Sequence, residues 1–161
     1  MALFPSEEWI SRYRDLINGS EEYREAARTW EGDIAFFMEA EPDRGVPEDL
    51  VAWLDLWHGE CRGARMITAE ESDSAAYGIR APYSRWREVV LGDLEPVKAM
   101  VQGKLKLRGD LATIVRHVRA ASRYSSDPLM RSRYRETHSS LGNNAIEPPT
   151  AIRGSARCRS R

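Results

Sequence analysis

His58, Gly59, Glu60 and Cys61 stand together in the chain, and three of the four carry chemistry. His-x-Glu is half of the zinc deaminase signature, in which the histidine holds the metal and the glutamate moves a proton. The other half, Pro-Cys-x-x-Cys, is missing, and the second cysteine, Cys158, lies far along the chain. A structural zinc site needs four ligands at short spacings, and only His58 and Cys61 qualify. The same two residues are the candidates for a nucleophile and its base. Their i, i+3 placement across a glycine turn fits a polar hairpin loop better, so no metal ligand and no catalytic residue is expected. Neither GxxxxGK(S/T) nor GxGxxG occurs, so nucleotide binding has no support and no cofactor is expected.

Two further groups could act through charge or stacking. Asp55 lies between Trp53 and Trp57 on one face of a strand pattern, opposite Leu54 and Leu56. It is expected to pair with a cation such as Arg65 on the next strand. The two tryptophans lie either under the N-terminal helices or at a contact with a second protomer or a membrane, and the sequence leaves that open. Lys104, Lys106 and Arg108 alternate with Leu105 and Leu107, which gives a strand one cationic and one dry face. The cationic face is expected in solvent. It is the candidate for transient contact with anionic lipid headgroups or with a coenzyme A phosphate.

The elements that position these residues follow from hydrophobic period and punctuation. Ser6 starts a helix with Trp9, Ile10, Tyr13, Leu16 and Ile17 on its apolar side, ended by Asn18-Gly19. Ser20 caps a second helix with Tyr23, Ala26, Ala27 and Trp30 inward. After Gly32 the period becomes two through Ile34, Phe36, Met38 and Ala40. Further strands are expected at Val51–His58, at about Ala64–Thr68 after a Gly59–Gly63 turn, and at Ala75–Arg80 after a polar turn at Glu70–Ser74. Trp86, Val89 and Val90 mark a helix broken by Gly92-Asp93. Leu94, Val97, Met100 and Val101 mark another, with Pro96 in its first turn and Gly103 after its end. Asp110 caps a last helix bearing Leu111, Ile114, Val115 and Val118, with Arg116, His117 and Arg119 toward its polar side or C-terminus. Strands that meander before helices and one more strand make an α+β layer, not a doubly wound sheet.

The string from Trp86 to Asp110 resembles the sterol carrier protein family, the nonspecific lipid-transfer proteins. Trp86, Gly92, Pro96, Ala99, Gly103, Lys104, Leu105, Lys106, Leu107, Gly109 and Asp110 carry the likeness. It extends over roughly residues 20–124 and is closer to the stand-alone prokaryotic branch than to domains fused to peroxisomal enzymes. The resemblance implies a five-stranded mixed sheet with helices packed mainly on one face and the last strand beside an early one. It also implies a hydrophobic tunnel between helices and sheet, and an apolar lipid as ligand, carried without bond breaking. In that arrangement Phe36, Met38, Leu54, Leu56, Tyr77, Ile79, Trp86, Val90, Met100, Leu105, Leu107, Ile114 and Val118 converge as the tunnel wall. Methionine and aromatic side chains suit such a wall because they repack easily. An accessory subunit with the same fold and a filled cavity is the rival reading.

Composition sets the frame. With 161 residues, 42% hydrophobic and 30% charged, the chain suits one globular domain plus a tail. Residues 1–127 hold 17 Lys and Arg against 23 Asp and Glu, whereas residues 128–161 hold 7 Arg against 2 Glu. The acidic body argues against nucleic-acid binding by the folded domain. The opening MALFPSEEWI is acidic and lacks the apolar run of a signal peptide. Two cysteines make no disulfide framework, so free thiols in a reducing cytoplasm are expected. The expected division is a lipid-binding domain at 1–127 and a basic, disordered tail at 128–161. Deleting 128–161 is therefore expected to leave the melting temperature within a few degrees in a thermal unfolding comparison; loss of folding would show that the tail packs.

Overall fold

Period-two segments build a mixed sheet, and helical segments cover most of one side of it. The computed structural model describes residues 5–125. The helices are α1 (Glu7–Asn18), α2 (Glu21–Ala26), α3 (Ala69–Ser72), α4 (Tyr83–Leu91), α5 (Pro96–Val101) and α6 (Leu111–Ser125). The strands are β1 (Glu31–Glu39), β2 (Leu50–Trp57), β3 (Glu60–Ile67), β4 (Tyr77–Pro82) and β5 (Lys106–Arg108). Ser6 and Ser20 cap α1 and α2 by accepting from the Trp9 and Tyr23 N–H groups, as expected from their types. The tail expected at 128–161 lies outside the described residues.

The sheet order is β3-β2-β1-β4-β5. β1, β2 and β3 form an antiparallel meander, but β4 pairs parallel with β1 on its other edge. A parallel pair needs a long crossover, and β2, β3 and α3 together supply it. The expectation that the last strand lies beside an early one is corrected: β5 pairs antiparallel with β4. β4 already occupies the free edge of β1, so β4 offers the next edge.

Local boundaries differ from expectation for local reasons. The turn expected over Gly59–Gly63 tightens to His58-Gly59, with φ of 50° and 82°, the left-handed pair a two-residue hairpin favours. β3 therefore starts at Glu60. The polar turn at Glu70–Ser74 is instead the short helix α3. Thr68 and Glu71 box it: the Glu71 N–H donates to Thr68 Oγ1 at 3.2 Å and the Thr68 N–H to Glu71 Oε2 at 2.8 Å. β5 is shorter than expected because the Lys104 and Leu105 N–H groups both donate to the Ala99 carbonyl, closing α5.

The main core lies between the sheet and helices α1, α2, α4, α5 and α6. A smaller cluster of Ala35, Phe37, Val51 and Ala75 occupies the other face, flanked by Trp53 and Ile67. Trp53 and Trp57 thus sit on the side away from the N-terminal helices. Asp55 pairs with Arg62 at 2.8 Å, not with Arg65. A register shift at Asp55/Leu56 leaves Arg62 as the extra residue opposite Asp55, while Arg65 turns to Glu71 and stacks over Trp53.

The tight hairpin leads to a paired expectation. A Cβ on Gly59 would stand 2.3 Å from the Arg24 carbonyl oxygen, whereas one on Gly45, also at positive φ, would meet nothing within 4 Å. Gly59→Ala should lower stability by about 3 kcal/mol and Gly45→Ala by about 1 kcal/mol, measured by urea unfolding. Equal losses would show that α2 yields to the added methyl.

Candidate functional site

The thirteen residues expected to form a tunnel wall come together in one apolar layer. Phe36 and Met38 enter from β1, Leu54 and Leu56 from β2, Tyr77 and Ile79 from β4, and Leu107 from β5. Trp86 and Val90 come from α4, Met100 from α5, Leu105 from the turn after it, and Ile114 and Val118 from α6. All belong to the main cluster: ten are buried, and Phe36, Tyr77 and Leu107 are half-buried against it. Strand alternation and one-turn helical spacing explain the convergence. The Phe36 and Trp86 rings meet edge-on at 5.4 Å, and Trp86 Nε1 donates to the Phe37 carbonyl at 2.9 Å. With its N–H satisfied, the indole presents hydrocarbon to the layer. Such a wall can hold an apolar molecule by burial but supplies almost no groups for proton transfer.

A cavity of about 240 Å³ lies beside this layer, between α2 and α6. Thr29, Trp30, Thr113, Arg116 and His117 line it, with Ala26 and Ala27. Rings connect it to the wall. The His117 ring lies 4.4 Å from that of Trp30, and Trp30 lies 4.7 Å from Tyr77. Tyr23 meets His117 edge-on, with its hydroxyl 3.3 Å from Nδ1. Burial raises the Tyr23 phenol pKa, and the neighbouring Tyr13 and Cys61 add to the rise. His117, expected toward the polar side or C-terminus of the last helix, is 3% exposed and so not on its polar side. The signal for this is its position one turn beyond Ile114. The charged neighbours Arg116 and Arg119 obscure it.

The His58–Cys61 quartet is not assembled. His58 is exposed, with Nε2 2.8 Å from Glu31 Oε1. Cys61 is buried in the core, and its backbone N–H donates to Asn18 Oδ1 at 2.8 Å. Burial pushes its thiol up to about 12, and Sγ lies 3.3 Å from the Gly63 carbonyl oxygen, an acceptor that suits the protonated thiol. Such a thiol is not a ready nucleophile at neutral pH. Among the described residues no three His, Cys, Asp or Glu side chains gather to hold a metal.

The expected cationic strand face is only partly free. Lys104 and Lys106 are exposed. Arg108 is engaged: it donates to the Ser72 and Ala75 carbonyls at 2.6 and 3.0 Å and lies 3.6 Å from Asp73. It fastens α3 to the sheet. Among the described residues no helix is long and apolar enough to cross a membrane.

Comparison with known proteins agrees with this architecture. Residues 13–121 match the model of the SCP-2 sterol transfer family. A crystal structure of sterol carrier protein 2 is 35% identical, with a TM-score of 0.68 over 76% of this chain and 96% of that one. A conserved hypothetical protein from Thermus thermophilus is 37% identical, with a TM-score of 0.66 over 79% of this chain and 87% of that one. The apo sterol carrier protein 2 of Yarrowia lipolytica, 14% identical with a TM-score of 0.50 over 73% and 89%, shares the fold. No curated protein matches the sequence.

The buried histidine sets a pH dependence. Burial lowers the His117 pKa from 6.5 to about 4. The unfolded chain therefore takes up its proton first as pH falls. The neutral ring's contribution is complete above pH 6.5 and is lost as pH falls to about 4, a change of at most about 3 kcal/mol. Melting temperature should fall across that window, and His117→Phe should flatten the fall. An unchanged pH profile in that variant would assign the effect to other groups.

Proposed function

The chain belongs to the SCP-2 sterol transfer family, and we propose that it binds and carries one apolar lipid in a tunnel between its helices and its sheet. The observation that carries this reading is the single layer of thirteen apolar side chains under the helices. The cargo would be a fatty acyl chain, an isoprenoid or a similar hydrocarbon, held without any bond being broken. A tunnel would open by repacking of Met38, Met100 and the rings along the wall. Each buried methylene contributes about 0.8 kcal/mol. A chain of about twelve gives on the order of 10 kcal/mol gross, which association costs reduce to micromolar affinity.

The cavity between α2 and α6 supports an entry there, with Arg116, Thr29 and Thr113 at the wet end and Trp30 leading inward. Exposed Lys104 and Lys106 support a transient contact with anionic membrane, to which Arg108 would add little, being bound to α3. Residues 1–127 would be the carrier domain, acting in the cytoplasm. The rival reading, an accessory subunit with a filled layer, draws support from one observation. Trp57 is 40% exposed on the face away from most helices, under Arg62, where a protein partner could sit.

A fluorescent fatty acyl probe is expected to bind at micromolar concentration, and Met100→Arg should abolish binding, because a charge in that wall is costly to desolvate. Unchanged affinity in a folded Met100→Arg protein would remove the tunnel from this layer. Native mass spectrometry of the purified protein should show copurified lipid. A lipid-free protein that ignores the probe, and whose partner binding is lost with Trp57→Ala, would favour the accessory reading.

A further inference from the structure

On the opposite face of the sheet from the apolar layer, a hollow of about 190 Å³ opens over β1, β4 and β5. Ala35, Phe37 and Gly78 form its floor, and Arg80, Lys106 and Arg108 stand around it. We propose that this hollow is an anion site that takes a phosphate or phosphomonoester group.

Charge placement is the first argument. Arg80 and Lys106 are direct partners in the β4–β5 ladder, so two like charges face each other across adjacent strands. Such a pair is unfavourable by itself. Neither side chain meets a carboxylate among the described residues. The rim's one acid, Asp73, lies beside Arg108, which stays bound to the Ser72 and Ala75 carbonyls. A cationic concentration of this kind contrasts with the acid excess of residues 1–127. An anion seated between Arg80 and Lys106 would turn their repulsion into two attractions.

Geometry is the second. The Arg80 guanidinium carbon lies 3.6 Å from the centre of the Phe37 ring, which anchors it while its N–H groups make no ion pair among the described residues. The floor is hydrocarbon, which strengthens attraction at the rim relative to open water. Two unpaired cations match a dianion better than a carboxylate, and a planar N–H fork beside an ammonium suits tetrahedral oxygens. The hollow exceeds a water's liquid share of about 30 Å³ severalfold, which leaves room for a small group attached to the phosphate.

Gly78 is the third. It does not occupy the left-handed region, and an added Cβ would meet only ordinary contacts at 3.5 Å with Arg108. The backbone does not require glycine there. Its missing side chain leaves room in the floor beside the Arg108 guanidinium, which a larger residue would take up. The hollow opens on the face of the sheet opposite the helices, and Lys106 is common to it and to the membrane contact proposed above.

The test is an amide NMR titration with inorganic phosphate at constant ionic strength, with chloride as reference. Saturable shifts at Gly78, Arg80 and Lys106 are expected. Lys106→Gln and Arg80→Gln should each weaken phosphate about threefold or more, Gly78→Val should abolish binding, and Lys104→Gln, outside the lining, should leave the affinity for inorganic phosphate unchanged. Glycerol 3-phosphate and phosphatidic acid vesicles, compared with phosphatidylcholine vesicles, separate the two sources. Tighter binding of the soluble ester assigns the site to small phosphorylated molecules. Vesicle binding lost in Gly78→Val assigns it to a headgroup. Shifts no larger than those with chloride, or shifts indifferent to Lys106→Gln, a surface change that leaves the core intact, would overturn the proposal.

Discussion

β1 carries apolar side chains on both faces, and the rest of the molecule is arranged around that demand. Ile34 and Met38 face the helices, while Ala35 and Phe37 face the other way. A strand of this kind is stable only in the middle of a sheet with cover on both sides. Antiparallel β2 takes one edge and parallel β4 the other. The five larger helices cover one face. The other is covered thinly, by α3, by Trp53 and by the guanidinium that Arg80 lays over Phe37.

Polar clamps fix the cover to the sheet. Asn18 at the end of α1 bonds both backbone groups of Cys61, donating to the carbonyl at 2.9 Å and accepting from the N–H at 2.8 Å. Glu41 accepts from the Ser84 N–H and so holds the start of α4. Arg108 does the same for α3 through two carbonyls. Each such bond gives a modest net stabilisation, but leaving its buried partner unmade would cost more. The clamps sit at helix ends, and within the layer the Trp86 indole is tied to the Phe37 carbonyl. Aliphatic and methionine side chains such as Met38 and Met100 can rearrange there without breaking a hydrogen bond.

Local periods make the inner face of the molecule readable. Leu54 and Leu56, or Ile114 and Val118, follow from alternation and one-turn spacing, and they meet as the spacing implies. Partner choice between distant strands has no such local signature. The parallel pairing of β1 with β4, and the antiparallel pairing of β5 with β4, depend on which edges remain free, which no window of residues records. Arg62 displaces Arg65 as the partner of Asp55 because a bulge adds one residue to the ladder. The ring group of Tyr23, Trp30 and His117 is hidden for another reason. Each ring belongs by spacing to its own helix or loop, and only their joint packing makes a cavity wall.

The two outer strands bear on the protein's fate in a crowded solution. β5 is three residues long and carries Lys106 and Arg108, while β3 is bulged and carries Arg62 and Arg65. Short, bulged or charged borders are poor templates for a strand from another molecule. A domain with a wide apolar interior runs a risk of aggregation whenever that interior loosens. Here the borders of the sheet guard against that risk, so the interior can loosen without its backbone recruiting neighbours into a fibre.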